Sequence, residues 1–148
     1  MISVETKIAL QEIIAQYSIA SDAKDVQGHL QYYAKEGYID GGMQSRRRDV
    51  GMAEDLAQMF AMEGTLKRHF GMNYRYSALE DGVAVDYLLL VVEGETLPGV
   101  IATATVRDEF IQEDGTWKIR KHTINIDPAM FNLLQQQDTG INADAFQQ

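Results

Sequence analysis

Apolar side chains recur at helical spacing in three stretches of the first 63 residues. The pattern predicts three helices, over residues 4–21, 26–34 and 49–63. It also predicts one short strand over residues 37–42. Asp25 and Asp49 are placed to cap the second and third helices, and Gly64 ends the third. The second helix directs Tyr33 inward, together with Val26 and Leu30.

From Leu66 onwards, the pattern changes to long strand-like segments separated by turns. Four strands are predicted, at Leu66–Tyr76, Val83–Glu93, Val100–Glu113 and Thr116–Asp127. The turn sequences Glu80-Asp81-Gly82 and Glu113-Asp114-Gly115 are typical of hairpins, so the strands form an antiparallel meander. Helices followed by a sheet indicate the α+β class. If the twisted sheet curls around the first helices, it encloses an apolar pocket in a cone-shaped barrel.

The length and charge of the chain narrow the classes of protein to consider. A chain of 148 residues fits one domain, with an expected core over residues 4–128 and a polar, glutamine-rich tail over residues 129–148. In that tail, Leu133 and Leu134 could anchor a short helix. A net charge of −9 argues against a nucleic-acid partner, because phosphate binding needs a basic surface. The run 46–48 of three arginines is interpreted as a solvated loop, with an anion site as the alternative.

No segment has the features of a membrane span or of a secretion signal. The longest strongly apolar run, Tyr87 to Val92, is far too short to cross a bilayer. The first residues lack the basic, apolar and small-residue regions of a signal peptide. The absence of cysteine excludes disulfides and thiolate chemistry. We therefore expect a cytoplasmic protein with no membrane partner.

Three histidines are candidates for acid–base chemistry: His29, His69 and His122. His29 lies beside Gly28 in the second helix and is expected at the surface. His69 is the stronger candidate, and strand alternation places it on the same face as Asn73, with Phe70 on the opposite face. Alternation alone leaves open which of the two faces lines the pocket. The same ambiguity applies to His122 in the last strand.

Asp22 interrupts the apolar stripe of the first helix. An unpaired carboxylate on that side is costly, so Asp22 either finds a partner or ends the helix. Tyr17, five residues earlier, lies about 140° away around a helix of roughly 3.6 residues per turn. Both side chains could nevertheless reach one cavity at the helix end.

Several short motifs occur in a familiar order. Residues 17–25 (YSIASDAKD) are followed by Tyr38-Ile39-Asp40, by residues 68–73 (RHFGMN), by Asp81-Gly82-Val83-Ala84 and by residues 114–119 (DGTWKI). From residue 4 to residue 128, this arrangement resembles the SnoaL-like branch of the nuclear-transport-factor-2-like superfamily. Within it, the pattern is most similar to the group that contains scytalone dehydratase, bile acid 7α-dehydratase and hexachlorocyclohexane dehydrochlorinase.

The resemblance implies an aspartate–histidine dyad. Asp22 and His69 match the two dyad positions, and Tyr17 matches a helix tyrosine of the bile acid enzyme. Such a dyad removes a proton while a leaving group departs from the adjacent carbon. A carboxylate hydrogen-bonded to one ring nitrogen fixes the tautomer and stabilises the imidazolium that forms.

Other positions depart from these relatives. Ser21 replaces the tyrosine that precedes the aspartate in scytalone dehydratase, and Tyr87 stands near its second histidine. Its serine and asparagine correspond to Ala104 and Val106, and the acidic residue of the bile acid enzyme falls near Val92. The dyad is retained without the groups that define each relative's substrate. The resemblance therefore does not identify the substrate of this protein.

The sequence therefore predicts a cofactor-independent lyase or isomerase, dehydratase-like, that acts on a small apolar or cyclic molecule without a metal. His69 is the predicted base, Asp22 its orienting carboxylate and Tyr17 a hydrogen-bond donor to substrate. The predicted pocket-lining residues are Asn73, Tyr87, Phe70 and Tyr33. Two alternatives stay open: a non-catalytic ligand-binding module, and a small subunit like the β subunits of ring-hydroxylating dioxygenases. A homodimer or homotrimer is expected, because the resemblance implies one and the convex sheet face carries apolar residues.

Overall fold

The computed structural model describes residues 1–132, so the predicted anchor at Leu133 and Leu134 lies outside the described residues. Residues 128–132 are helical. The elements before them are α1 (Val4–Asp22), α2 (Val26–Leu30), β1 (Tyr33–Asp40), α3 (Met52–Met62), β2 (Lys67–Ala78), β3 (Gly82–Glu93), β4 (Gly99–Glu113) and β5 (Thr116–Ile126).

The five strands form one open, mainly antiparallel sheet in the order β1-β5-β4-β3-β2. Strands β2 to β5 are the predicted meander, and β1 joins its far edge parallel to β5. The predicted α+β class is confirmed. The sheet curves around α1, and within residues 1–132 its two edges are unpaired, so it is open where a barrel would be closed.

The predicted boundaries around the first strand are wrong, and the strand itself runs from Tyr33 to Asp40 and not over residues 37–42. The second helix ends at Leu30 and not at Ala34, because the chain turns there to pair with β5, and Tyr33 lies opposite Ile119. The third helix begins after Gly51 and not after Asp49, whose carboxylate accepts hydrogen bonds from Arg47 instead.

The triple-arginine run is a loop in which each guanidinium has a protein partner. Arg46 binds Asp55, Arg47 binds Asp49, and Arg48 donates to the carbonyl oxygen of Tyr33. These contacts tie the loop to α3 and to the start of β1. Within the described residues, contacts inside the protein therefore account for all three guanidinium groups of the loop.

The main apolar core lies between α1 and the concave face of the sheet. Leu10 and Ile14 are fully buried on α1 and meet Phe110 and Val85 from the sheet. Because β-strand side chains alternate, this face also receives Asp108 and His122, which are buried polar groups in an apolar core. The apolar core therefore contains a buried carboxylate, Asp108, and a buried imidazole, His122.

A β-bulge in β2 changes the direction of the side chains along that strand. The pairing with β3 slips by one residue between Met72 and Arg75, and Asn73 adopts a φ of 59°. Left-handed backbone is tolerated by asparagine better than by most residues. After the bulge, Tyr74 and Tyr76 become the partly buried positions of the strand. The prediction that Asn73 shares the face of His69 is therefore wrong.

Among residues 1–132, no helix is both long enough and apolar enough to cross a membrane.

Candidate active site

Asp22 and His69 are in direct contact at the partly exposed end of α1. The Oδ1 atom of Asp22 lies 2.7 Å from Nδ1 of His69, and the same oxygen accepts the backbone N–H of His69 at 3.2 Å. The two side chains are 12% and 17% exposed, so water and small molecules can reach them. Two hydrogen bonds to one oxygen fix both the position and the rotation of the imidazole ring relative to the carboxylate.

The location of Asp22 explains why it needs these partners. Asp22 is the last residue of α1, where the carbonyl end of a helix disfavours a negative charge. The last turn contains no basic residue, and Arg68 Nη1 lies 3.9 Å from the second carboxylate oxygen. His69 and Arg68 together offset the unfavourable helix end. Within residues 1–132, Nε2 of His69 makes no hydrogen bond and is free to meet a ligand.

The hydroxyl of Tyr17 lies in a different cluster, deeper in the core. It contacts the hydroxyl of Tyr87 and lies 3.1 Å from Oδ2 of Asp108 and 3.4 Å from Nδ1 of His122. No contact joins it to Asp22 or His69 among the described residues. The three predicted catalytic side chains are thus divided between two places, with Tyr17 and Tyr87 at the inner one.

Asp108 is the centre of this inner cluster. Its carboxylate is fully buried and accepts hydrogen bonds from Tyr87 at 3.0 Å and from Tyr17, while its Oδ1 lies 2.6 Å from Nδ1 of His122. Burial raises the pKa of Tyr17 and of Tyr87 well above the usual value, and the nearby Asp108 carboxylate adds to the effect. Both tyrosines therefore remain protonated and act as hydrogen-bond donors.

His29 lies in the interior between the two clusters, so its predicted surface position is wrong. It is 5% exposed, and its ring packs against the rings of Tyr17, Tyr33 and Phe60. Its Nδ1 lies 3.2 Å from the Tyr17 carbonyl oxygen and 2.9 Å from Ser21 Oγ. Because a carbonyl only accepts, Nδ1 carries the proton. Burial lowers the pKa of His29 to about 4, so the ring is neutral at neutral pH.

Two of the predicted pocket-lining residues lie on the outer face of the sheet. Phe70 is 50% exposed on the side opposite His69, and Asn73 is turned outward by the bulge. Asn73 borders an outer-face depression of about 560 Å³, whose other polar side chains include Arg75, Asp86 and Arg107. Neither side chain can line an interior pocket. Tyr33 and Tyr87, by contrast, are buried between the helices and the sheet.

Among residues 1–132, no group of three or more histidine and acidic side chains converges as a set of metal ligands.

A comparison of the sequence with known protein families identifies the family. The sequence model of a SnoaL-like domain matches residues 3–123. The chain belongs to the SnoaL-like domain family. The SnoaL-like domain that the sequence motifs predicted is thereby confirmed. No curated protein matches the sequence significantly.

Solved structures with the same fold resemble this SnoaL-like protein at low sequence identity. A protein of unknown function with a cystatin-like fold from Nostoc punctiforme is 24% identical, covers 87% of this chain and 96% of its own, and has a TM-score of 0.74. Aln2 from a Streptomyces species is 19% identical, with coverages of 88% and 97% and a TM-score of 0.74. A protein from Novosphingobium aromaticivorans, provisionally named as a scytalone dehydratase, is 15% identical, with coverages of 82% and 83% and a TM-score of 0.65. These similarities establish the fold alone.

Proposed function

We propose that this SnoaL-like protein is a cofactor-independent lyase or isomerase that removes a proton from carbon in a small apolar or cyclic molecule. The observation that carries the proposal is the 2.7 Å contact between Asp22 Oδ1 and His69 Nδ1. In this contact Nδ1 of His69 donates to the carboxylate, so a neutral ring has its unprotonated nitrogen at Nε2. That nitrogen is the base.

The reaction begins when Nε2 of His69 takes the proton from a carbon–hydrogen bond of the substrate. In elimination, the released electron pair forms a double bond as the bond to the leaving group on the adjacent carbon breaks. In isomerisation, the pair is held as an enolate and the proton returns to another carbon. Asp22 stabilises the imidazolium in both cases, and such general base catalysis is typically worth roughly 10²–10⁴ in rate.

Tyr17 is proposed to act from the separate inner cluster, on the part of the substrate that extends away from His69. Its hydroxyl stays protonated because burial raises its pKa, and its one O–H donates to Asp108 in the free protein, so a hydrogen bond to a substrate oxygen replaces that bond. The apolar side chains around it, among them Leu10 and Ile14, exclude water. Exclusion of water strengthens each electrostatic interaction with the reacting group.

A deuterium-exchange and elimination assay tests this proposal. The purified protein is incubated in D₂O with a panel of cyclic hydroxy-ketones and halocarbons, and the products are followed by NMR and mass spectrometry. We expect at least one member to exchange or eliminate well above the buffer rate. Saturable binding of panel members without exchange or elimination would instead assign the protein as a binding module.

The predicted homo-oligomer and cytoplasmic location stay predictions. On the outer face, Phe70, Met72 and Leu88 are 50%, 37% and 43% exposed. The register places Met72 directly opposite Leu88, so these apolar side chains lie close together. An apolar patch on a sheet face supports self-association of this chain.

A further inference from the structure

The depression of about 560 Å³ on the outer face of the sheet has no part in the proposed reaction. It extends across β2, β3, β4 and β5, and its charged side chains form a row that runs across these strands. In this row, Arg75 lies opposite Asp86, Asp86 opposite Arg107, and Arg107 opposite Thr123. The helices and the apolar core lie on the concave face, so this depression is separate from the candidate active site.

The charges that line the depression have a positive excess, although the whole chain has a net charge of −9. Two guanidinium groups line it, those of Arg75 and Arg107, against the single carboxylate of Asp86. Nη1 of Arg107 donates to Oδ2 of Asp86 at 2.8 Å, and nearby Glu109 is bound to Arg120. Among residues 1–132, the guanidinium of Arg75 makes no hydrogen bond or ion pair with another residue. The depression therefore presents one positive charge that the protein does not neutralise.

Neutral hydrogen-bond donors surround this charge. Asn73 borders the depression from the β-bulge in the same strand as Arg75, with a φ of 59°. A left-handed backbone at a residue other than glycine costs energy, and such residues are concentrated at ligand sites, where a bulge can redirect a side chain. The amide of Asn125 and the hydroxyls of Thr105 and Thr123 line the depression from β4 and β5. Each of these four side chains can donate a hydrogen bond to an anion.

We propose that the outer-face depression binds a small organic carboxylate with one negative charge and an apolar body. The planar guanidinium of Arg75 matches the two oxygens of a carboxylate. One free positive charge neutralises a monoanion, whereas a doubly charged phosphate ester keeps a charge that the acidic protein repels. Leu88 is 43% exposed in the depression and offers apolar surface to the body of the ligand. The inference goes beyond the proposed function, because this site does not use His69.

Binding of 4-fluorobenzoate tests the proposal, with 4-fluorobenzamide as its neutral counterpart. Both affinities are measured by ¹⁹F NMR titration at low ionic strength, and a urea unfolding curve is recorded for each variant. We expect the wild-type protein to bind 4-fluorobenzoate saturably and the amide about tenfold more weakly. Arg75→Gln should weaken 4-fluorobenzoate binding about tenfold, because a charge-assisted hydrogen bond is lost, and leave amide binding unchanged. Asn73→Gly keeps the left-handed backbone but removes the side-chain amide, so it should weaken 4-fluorobenzoate binding about threefold.

Arg47→Gln is the matched control, since it removes one positive charge from a partly exposed guanidinium that lies outside the depression. It should leave the affinity for 4-fluorobenzoate unchanged. No saturable binding of 4-fluorobenzoate, equal binding of the amide, or an unchanged affinity in Arg75→Gln would each overturn the proposal. Sedimentation velocity covers the remaining alternative. Self-association that Arg75→Gln abolishes, in a protein that binds no 4-fluorobenzoate, would assign the depression to a second copy of the chain and refute the ligand site.

Discussion

Replacing His69 with glutamine should lower the rate of proton removal about 10²–10⁴-fold. Glutamine keeps a polar side chain of similar reach, but its amide has no basic nitrogen. The partial exposure of His69 limits the effect on folding, so the loss should appear in the chemistry. The measurement is kcat/KM for the panel member that the wild-type protein turns over, with the urea unfolding curve recorded for each variant.

Asp22→Asn provides the second arm of this test. It removes the charge that stabilises the imidazolium, so it should also lower the rate while the contact distance is preserved. Asp25→Asn is the matched control. Asp25 is the N-cap of α2, three residues after Asp22, and asparagine is an equally good cap. A rate for His69→Gln within twofold of wild type would show that His69 is not the base.

The stability of the protein should fall by about 2 kcal/mol between pH 7 and pH 5 because of His29 alone. The pKa of His29 is about 4 in the folded protein, whereas an unperturbed histidine has a value of 6.5. Between these values, the unfolded chain binds a proton that the folded protein does not bind. Stability from this group is therefore complete above pH 6.5, decreases as the pH falls towards 4, and changes no further below that.

Urea unfolding at pH 7 and pH 5 checks this expectation for the wild-type protein and for His29→Gln. Glutamine does not titrate, so the variant should lose the part of the pH dependence that His29 causes. Other titrating groups act equally on both proteins and cancel in the comparison. An identical pH dependence in the two proteins would mean that His29 is not held neutral by burial.

The elements of the sheet could be predicted from sequence, but the bulges could not. Hydrophobic alternation and the turn at Glu113-Asp114-Gly115 predicted β4 and β5. Simple alternation fails at Asn73, where one extra residue turns the following side chains to the opposite face. A bulge depends on pairing between strands, which a single strand's pattern does not record.

Register slips also explain why the sequence did not predict the inner cluster around Asp108. Asp108 lies opposite His122 only because the register of the hairpin slips between Glu109 and Phe110. Without that slip, an unbroken register from the turn would place Lys121 opposite Asp108. Pairing counted from the hairpin turn therefore misses the true partner of Asp108 by one residue. The turn was the sequence signal that could have placed Asp108 close to His122.

The contact between Asp22 and His69 was predicted, and the burial of His29 was not, for different reasons. The family resemblance supplied the pairing of Asp22 with His69 across 47 residues of sequence, which the structure now shows as a contact. The surface position of His29 was inferred from its place beside Gly28 in a short helix. Its burial comes from α1, β1 and α3, which supply Tyr17, Tyr33 and Phe60. Tertiary packing of this kind is invisible to a local pattern.

The tautomer of His69 tests the central claim most directly, because it does not depend on knowing the substrate. The ring-nitrogen chemical shifts of His69 can be measured at pH 8 by long-range ¹⁵N–¹H correlation NMR, with His69→Gln used for assignment. A base oriented by Asp22 should carry its proton on Nδ1 and leave Nε2 unprotonated, and Asp22→Asn should disturb this state. A wild-type ring with its proton on Nε2 would contradict the assignment of His69 as a base held by Asp22.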